Sequence, residues 1–145
     1  MRFEIYLAIG GADFDAAAFA LEANKAKART RRIGELGAKI RPGVIEPWTV
    51  WESERVKVSE PSHADIQSIL NTHYIGDDVK RLLLAHCDIQ QLIDAHRERV
   101  ECWVTILCIH AEKEEPRGLS LDKETINLLS QFNASIEIDT VYETA

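Results

Sequence analysis

The stretch VECWVTILCIHA, residues 100–111, is apolar on both faces that period-two alternation defines: Val104, Ile106 and Cys108 on one, Trp103, Leu107 and Ile109 on the other. A strand with no polar face must be covered on both sides, so it belongs in the middle of a sheet. Its neighbours read differently. Residues 2–10 place Phe3, Ile5, Leu7 and Ile9 on one face and Glu4, Tyr6 and Ala8 on the other, as in a strand with one buried side. The run SIEIDTVYE, residues 135–143, predicts a half-buried strand with Ile136, Ile138 and Tyr142 inward and Glu137, Asp139 and Glu143 outward. A further strand is expected over 44–58, containing PWTVWESERV.

Helices alternate with these strands. Asp15 is a good N-cap for an alanine-rich helix fading near Asn24, and Phe14 and Phe19 stand at hydrophobic-staple positions. Asp122 opens a second capped helix over LDKETINLLSQFN. SEPSH, with Pro61, caps a helical region, and helical spacing then runs from 64 to 99, broken at IGDD, where Gly76 suits a C-cap and Asp77 or Asp78 an N-cap. The two capped helices match in detail. Phe14-Asp15 is followed by Phe19 and Leu21, and Leu121-Asp122 by Ile126 and Leu128 at the same offsets. The expected architecture is therefore an α+β two-layer sandwich, a mostly antiparallel sheet with helices on one face, with pseudo-twofold duplication of a strand-loop-helix unit. At 145 residues the chain suits one domain spanning 1–145.

Composition narrows the classes. With 46% apolar and 28% charged residues the chain is ordinary for a soluble globular protein, and no apolar run approaches the ~20 residues of a bilayer span. The N-terminus alternates from its second residue and lacks a signal peptide's apolar core, which predicts a cytoplasmic location. Three cysteines without CxxC spacing agree with a reducing compartment. The net charge of −7 is uneven: residues 25–41 carry seven basic side chains against Glu35, a local +6 that leaves −13 elsewhere. So acidic a body disfavours nucleic acid, and the basic run reads as a solvated loop or one paired with the protein's own acids.

No chemical motif emerges. His63, His73, His86, His96 and His110 show no ligand spacing, so neither a metal nor a cofactor is expected. Adjacent side chains in His86-Cys87-Asp88 diverge by about 100° on a helix, which disfavours a cysteine nucleophile. Gly10-Gly11 is too short for a phosphate loop. What remains is a face. If Trp48 and Val50 point to the core, Trp51 joins Tyr6, Glu137 and Asp139 on an open sheet face, where an aromatic anchor among acids suits a basic protein partner. These four are the candidate binding residues, with no catalytic residue assigned. The alternative is a carboxylate-based hydrolase acting on a small or saccharide substrate, with Glu4 facing Glu137 and Asp139. A homo-oligomer is left open.

DFD after the first strand, RRIGE at 31–35, WTVWES at 48–53 and above all GLSLDKETINLLSQFNASIEIDTVY at 118–142 resemble the bacterial family called domain of unknown function 4279, or DUF4279. The resemblance spans nearly the whole chain, with 62–99 similar only in pattern. It implies no catalytic residues, and the likeness of some members to immunity proteins of toxin systems implies a toxin-like protein partner.

Overall fold

The computed structural model describes residues 2–25, 28–33, 48–58, 72–111 and 118–143. The doubly apolar stretch is strand β6 (Glu101–Ala111), central as expected, and it runs antiparallel to β1 (Arg2–Gly11), with Arg2 opposite Ile109 and Gly10 opposite Glu101. Next to β1 lie β3 (Trp48–Glu52) and then β2 (Arg29–Ile33), each antiparallel to its neighbour. On the other side β8 (Ala134–Glu143) runs parallel to β6. The order is β2-β3-β1-β6-β8, and β4 (Val56–Val58) joins the first residues of β1. A parallel neighbour needs a crossover, which α4 (Lys123–Gln131) supplies between β6 and β8.

The helices α1 (Ala16–Ala23), α2 (Gly76–Leu84), α3 (Gln90–Ala95) and α4 bury one face of this sheet. Phe3, Ile5, Leu7, Ile9, Trp51, Val104 and Ile106 from the strands meet Phe19, Val79, Leu82, Leu83, Leu129 and Phe132 from the helices, all 5% exposed or less. Each such side chain contributes about 1.5–3 kcal/mol through burial. The matched helix starts are both present. Asp15 accepts from Ala18 N at 3.0 Å and Asp122 from Thr125 N at 3.1 Å. The Phe14 and Phe19 rings stand 5.4 Å apart, and α1 ends on Asn24 in the left-handed region (φ 50°), as Asn133 (φ 51°) follows α4. Gly11 is required sterically, since a Cβ there would lie 2.2 Å from the Arg99 carbonyl oxygen.

The expected strand over 44–58 is two strands, its residues 44–47 lying outside the described residues. β3 pairs with β1 as Ala8–Glu52 and Ile9–Trp51, but β4 pairs as Ile5–Val56 and Phe3–Val58, one residue out of step. The extra residue is a bulge at 53–55, and it turns alternate side chains to the opposite face. Ser53 anchors it: its amide donates to Leu7 O at 2.8 Å and its Oγ accepts from Leu7 N at 2.9 Å.

This register corrects the tryptophan assignment. Trp48 and Trp51 do point to opposite faces, but Trp51, opposite Ile9, is the core residue at 0% exposure, while half-buried Trp48 and fully buried Val50 share the other face. Trp51 packs edge-on against Phe19 and His86, with centroids at 5.3 and 6.1 Å. Thr49, also on the helix side, donates to Phe14 O and accepts from Ala16 N, tying β3 to the start of α1.

Other expectations change as well. Thr72–Tyr74 forms β5, paired in parallel with β7 (Gly118–Ser120), rather than part of a helix. Residues 59–71, including SEPSH, His63 and the first helical spacing, lie outside the described residues. Ile75 precedes α2 with no side-chain cap, and Asp77 and Asp78 sit in the first turn, where carboxylates favour the helix dipole. Within the basic run, 29–33 is strand β2 and not loop, while 26–27 and 34–41 are outside the described residues.

Two stability tests follow from this packing. Trp51→Ala should cost about 3–5 kcal/mol by opening a cavity, and Asp15→Ala and Asp122→Ala about 1 kcal/mol each, measured by denaturant unfolding. In single-tryptophan variants acrylamide should quench Trp48 emission more than Trp51 emission; the reverse order would overturn the register.

Candidate docking surface

The face of the sheet away from the helices carries the even-numbered side chains of β1, the odd ones of β6 and β8, and Val50 and Glu52 of β3. Across β1, β6 and β8 they form rows: Glu4, Leu107, Asp139, then Tyr6, Thr105, Glu137, then Ala8, Trp103, Ser135. Of the four residues singled out in the sequence, Tyr6, Glu137 and Asp139 thus share a face, and Trp51 lies on the opposite one. Glu4 and the β8 acids are not on neighbouring strands, because β6 separates them.

The centre of this face is not open. Tyr6, Ala8, Val50 and Trp103 are 8% exposed or less and form a second apolar cluster, with Trp48 packed against it. Tyr6 is therefore a packing residue, and Arg55 covers it with a guanidinium 4.8 Å from the ring centroid. The acids near this cluster are matched by the chain's own bases. Glu52, 1% exposed, is held by Arg29 at 2.8 Å and Arg31 at 2.5 Å, both from edge strand β2. Glu4 takes Arg55 at 2.7 Å and stands opposite Lys57. The Arg55 guanidinium beside Glu4 holds its carboxyl below its ordinary value. Part of the basic run is spent in this way, since Lys25 also pairs with Asp88 at 2.7 Å.

Toward β8 the surface changes character. Glu143 pairs with Arg2, but Asp139 is exposed and has no basic partner among the described residues. Here the expectation of a half-buried strand holds only as far as Ile136 and fails beyond Glu137. α4 covers only the start of β8, and Ile138, Val141 and Tyr142 are 56%, 45% and 54% exposed. The sequence reading missed these three as surface residues. No local signal marked them, because their exposure follows from tertiary placement: β8 pairs with β6 alone among the described residues and α4 stops short of its second half.

Other chemistry finds little support. His86 Nδ1 donates to Leu82 O, 2.8 Å away, and burial holds its pKa below the ordinary value. His96 packs on Phe14 and Phe19, and His110 stacks under Tyr142 at 5.4 Å. Burial pushes the Cys102 thiol up to about 12, leaving it un-ionised and a poor nucleophile at neutral pH. Among the described residues no three metal-ligating side chains cluster, and no helix is long and apolar enough to cross a membrane.

In a scan against protein families, residues 1–143 match a family described as a domain of unknown function (DUF4279). No curated protein and no solved structure matches the chain.

The Glu4–Arg55 pair predicts a pH signature. Because Glu4 titrates lower when folded, its contribution is complete above the ordinary value of 4.5 and is lost as pH falls through the lower folded value. Arg55→Gln should therefore lower stability by about 1 kcal/mol at neutral pH. The deficit should shrink as pH falls below 4.5, and carboxyl NMR should show Glu4 titrating higher in the variant. An unchanged Glu4 titration would show that the pair is not formed.

Proposed function

The chain belongs to the DUF4279 family, which prescribes no chemistry, and on that premise we propose that it is a protein-binding module whose β8 margin docks a basic partner, in the manner of an immunity protein masking a toxin. One observation carries this reading. The acids around the second apolar cluster are matched by arginine and lysine from the chain itself, whereas Asp139 is exposed without a basic partner among the described residues, with exposed Val141 on its own face of β8 and exposed Ile138 and Tyr142 on the other. Apolar area supplies affinity, and a one-signed rim supplies steering and selects the partner's charge. The docking residues are then Glu137 and Asp139 with Ile138, Val141 and Tyr142. Tyr6 and Trp51 support the sheet behind them.

The carboxylate-hydrolase reading has less behind it. A general acid needs a raised pKa, and Glu4 is shifted the other way by Arg55. Asp78, whose carboxyl burial does raise, sits in the first turn of α2 and outside this face.

The test uses charge. A protein recovered by crosslinking in cells producing the tagged chain is purified and titrated calorimetrically against wild type and the Glu137→Lys/Asp139→Lys variant. The reading expects a basic partner and at least about tenfold weaker binding to the variant, equal to about 1.4 kcal/mol, with affinity falling as salt rises. Binding unaffected by the reversal would overturn it.

A further inference from the structure

Resting on that docking reading, we propose that the outer edge of β8 takes an extended segment of the partner as the next strand of the sheet, and that this segment alternates basic with apolar side chains. Strand addition needs an accessible edge, and β8 pairs with β6 on one side only among the described residues. The edge carries none of the basic or proline residues that often blunt one, and its only charges are the carboxylates Glu137, Asp139 and Glu143. The strand, ASIEIDTVYE, is ten residues long. The opposite edge strand, β2, is half that length and presents Arg29 and Arg31.

The two faces of β8 specify what would fit beside it. Glu137, Asp139 and Glu143 alternate with Ile138, Thr140 and Tyr142. A strand added about 4.8 Å away sets its side chains directly opposite these, so basic residues would face the acids while apolar residues extend the strip formed by Ile138 and Tyr142. A second copy of the chain fits poorly. Antiparallel self-pairing that keeps each face together must centre on a residue, and centres at 137, 138 and 139 set Glu137 on itself, Glu137 on Asp139 and Asp139 on itself, while centres at 140 and 141 set Glu143, already paired with Arg2, against Glu137 or Asp139. Like charges directly opposite destabilise a pair, so the edge favours a foreign basic strand over its own.

The probe is a fluorescent peptide of about eight residues alternating lysine with valine, compared with a block peptide of the same composition and with two versions N-methylated on one or the other alternate set of amides. In a strand only one set of amides faces β8. We expect the alternating peptide to bind, the block peptide to bind at least about tenfold more weakly, and one methylated version to lose binding while the other keeps it. Ile138→Lys and Glu137→Lys/Asp139→Lys should each weaken the alternating peptide, with circular dichroism confirming that the variants remain folded. If both methylated versions and the block peptide bind as well as the parent, strand addition is wrong. Should the charge-reversed variant still lose binding in that case, the docking surface stands without it. Absence of binding by any lysine peptide overturns strand addition too, and so does a dimer of the chain alone, seen by sedimentation and dissolved by Ile138→Lys.

Discussion

The β1–β6 ladder is the constraint on which the rest of the structure depends. From Arg2–Ile109 to Gly10–Glu101 it joins two strands that are both buried over most of their length, and it is the boundary between the two halves of the sheet. Its odd β1 and even β6 side chains build the core under the helices. Its other face carries Tyr6, Ala8 and Trp103, the nucleus of the second cluster. Because both faces are occupied, a slip of one residue would exchange the two sets and place Tyr6 and Glu4 against the helices. The positions of β3, β4 and β8 follow from pairing to one or other member of this ladder.

The sequence was legible where one residue type performs a local task. Asp15 and Asp122 were readable as caps because a short acidic side chain before an amphipathic run satisfies a backbone amide whatever lies around it. The absence of a polar face in β6 was equally direct. Tertiary pairing was not legible. The bulge at 53–55 leaves no trace in alternation, since Trp48, Val50 and Trp51 make both faces of β3 look buried, and which face meets the helices is decided by Ile9 across the ladder. β5 was hidden for a similar reason: three residues become a strand only because Gly118–Ser120 lies beside them.

The candidate site shows how burial and charge pairing revise a surface inferred from pattern. The four residues first selected were a fair sample of aromatic and acidic positions, yet alternation cannot report that Arg55 lies over Tyr6 or that Arg29 and Arg31 converge on Glu52. Once those pairs are formed, that half of the face is electrostatically self-contained. Asp139 and the exposed side chains of β8 remain outside that arrangement because α4 stops short of them and β8 is the last strand of the sheet among the described residues. The later part of the C-terminal strand is thus among the least enclosed of the described residues.

The central ladder also shapes how the protein comes into being. Its members stand roughly a hundred residues apart in the chain, so their meeting requires closing a long loop before any contact rewards it, which places folding toward the slow, millisecond-to-second end for domains of this size. During synthesis β1 emerges well before β6 exists. Until then Phe3, Ile5, Leu7 and Ile9 can be sheltered only by local structure such as α1 and its paired Phe14 and Phe19, and by the cell's chaperones. A fold in which β1 waits for β6 carries its aggregation hazard during folding in β1, a strand that the finished sheet encloses between two neighbours.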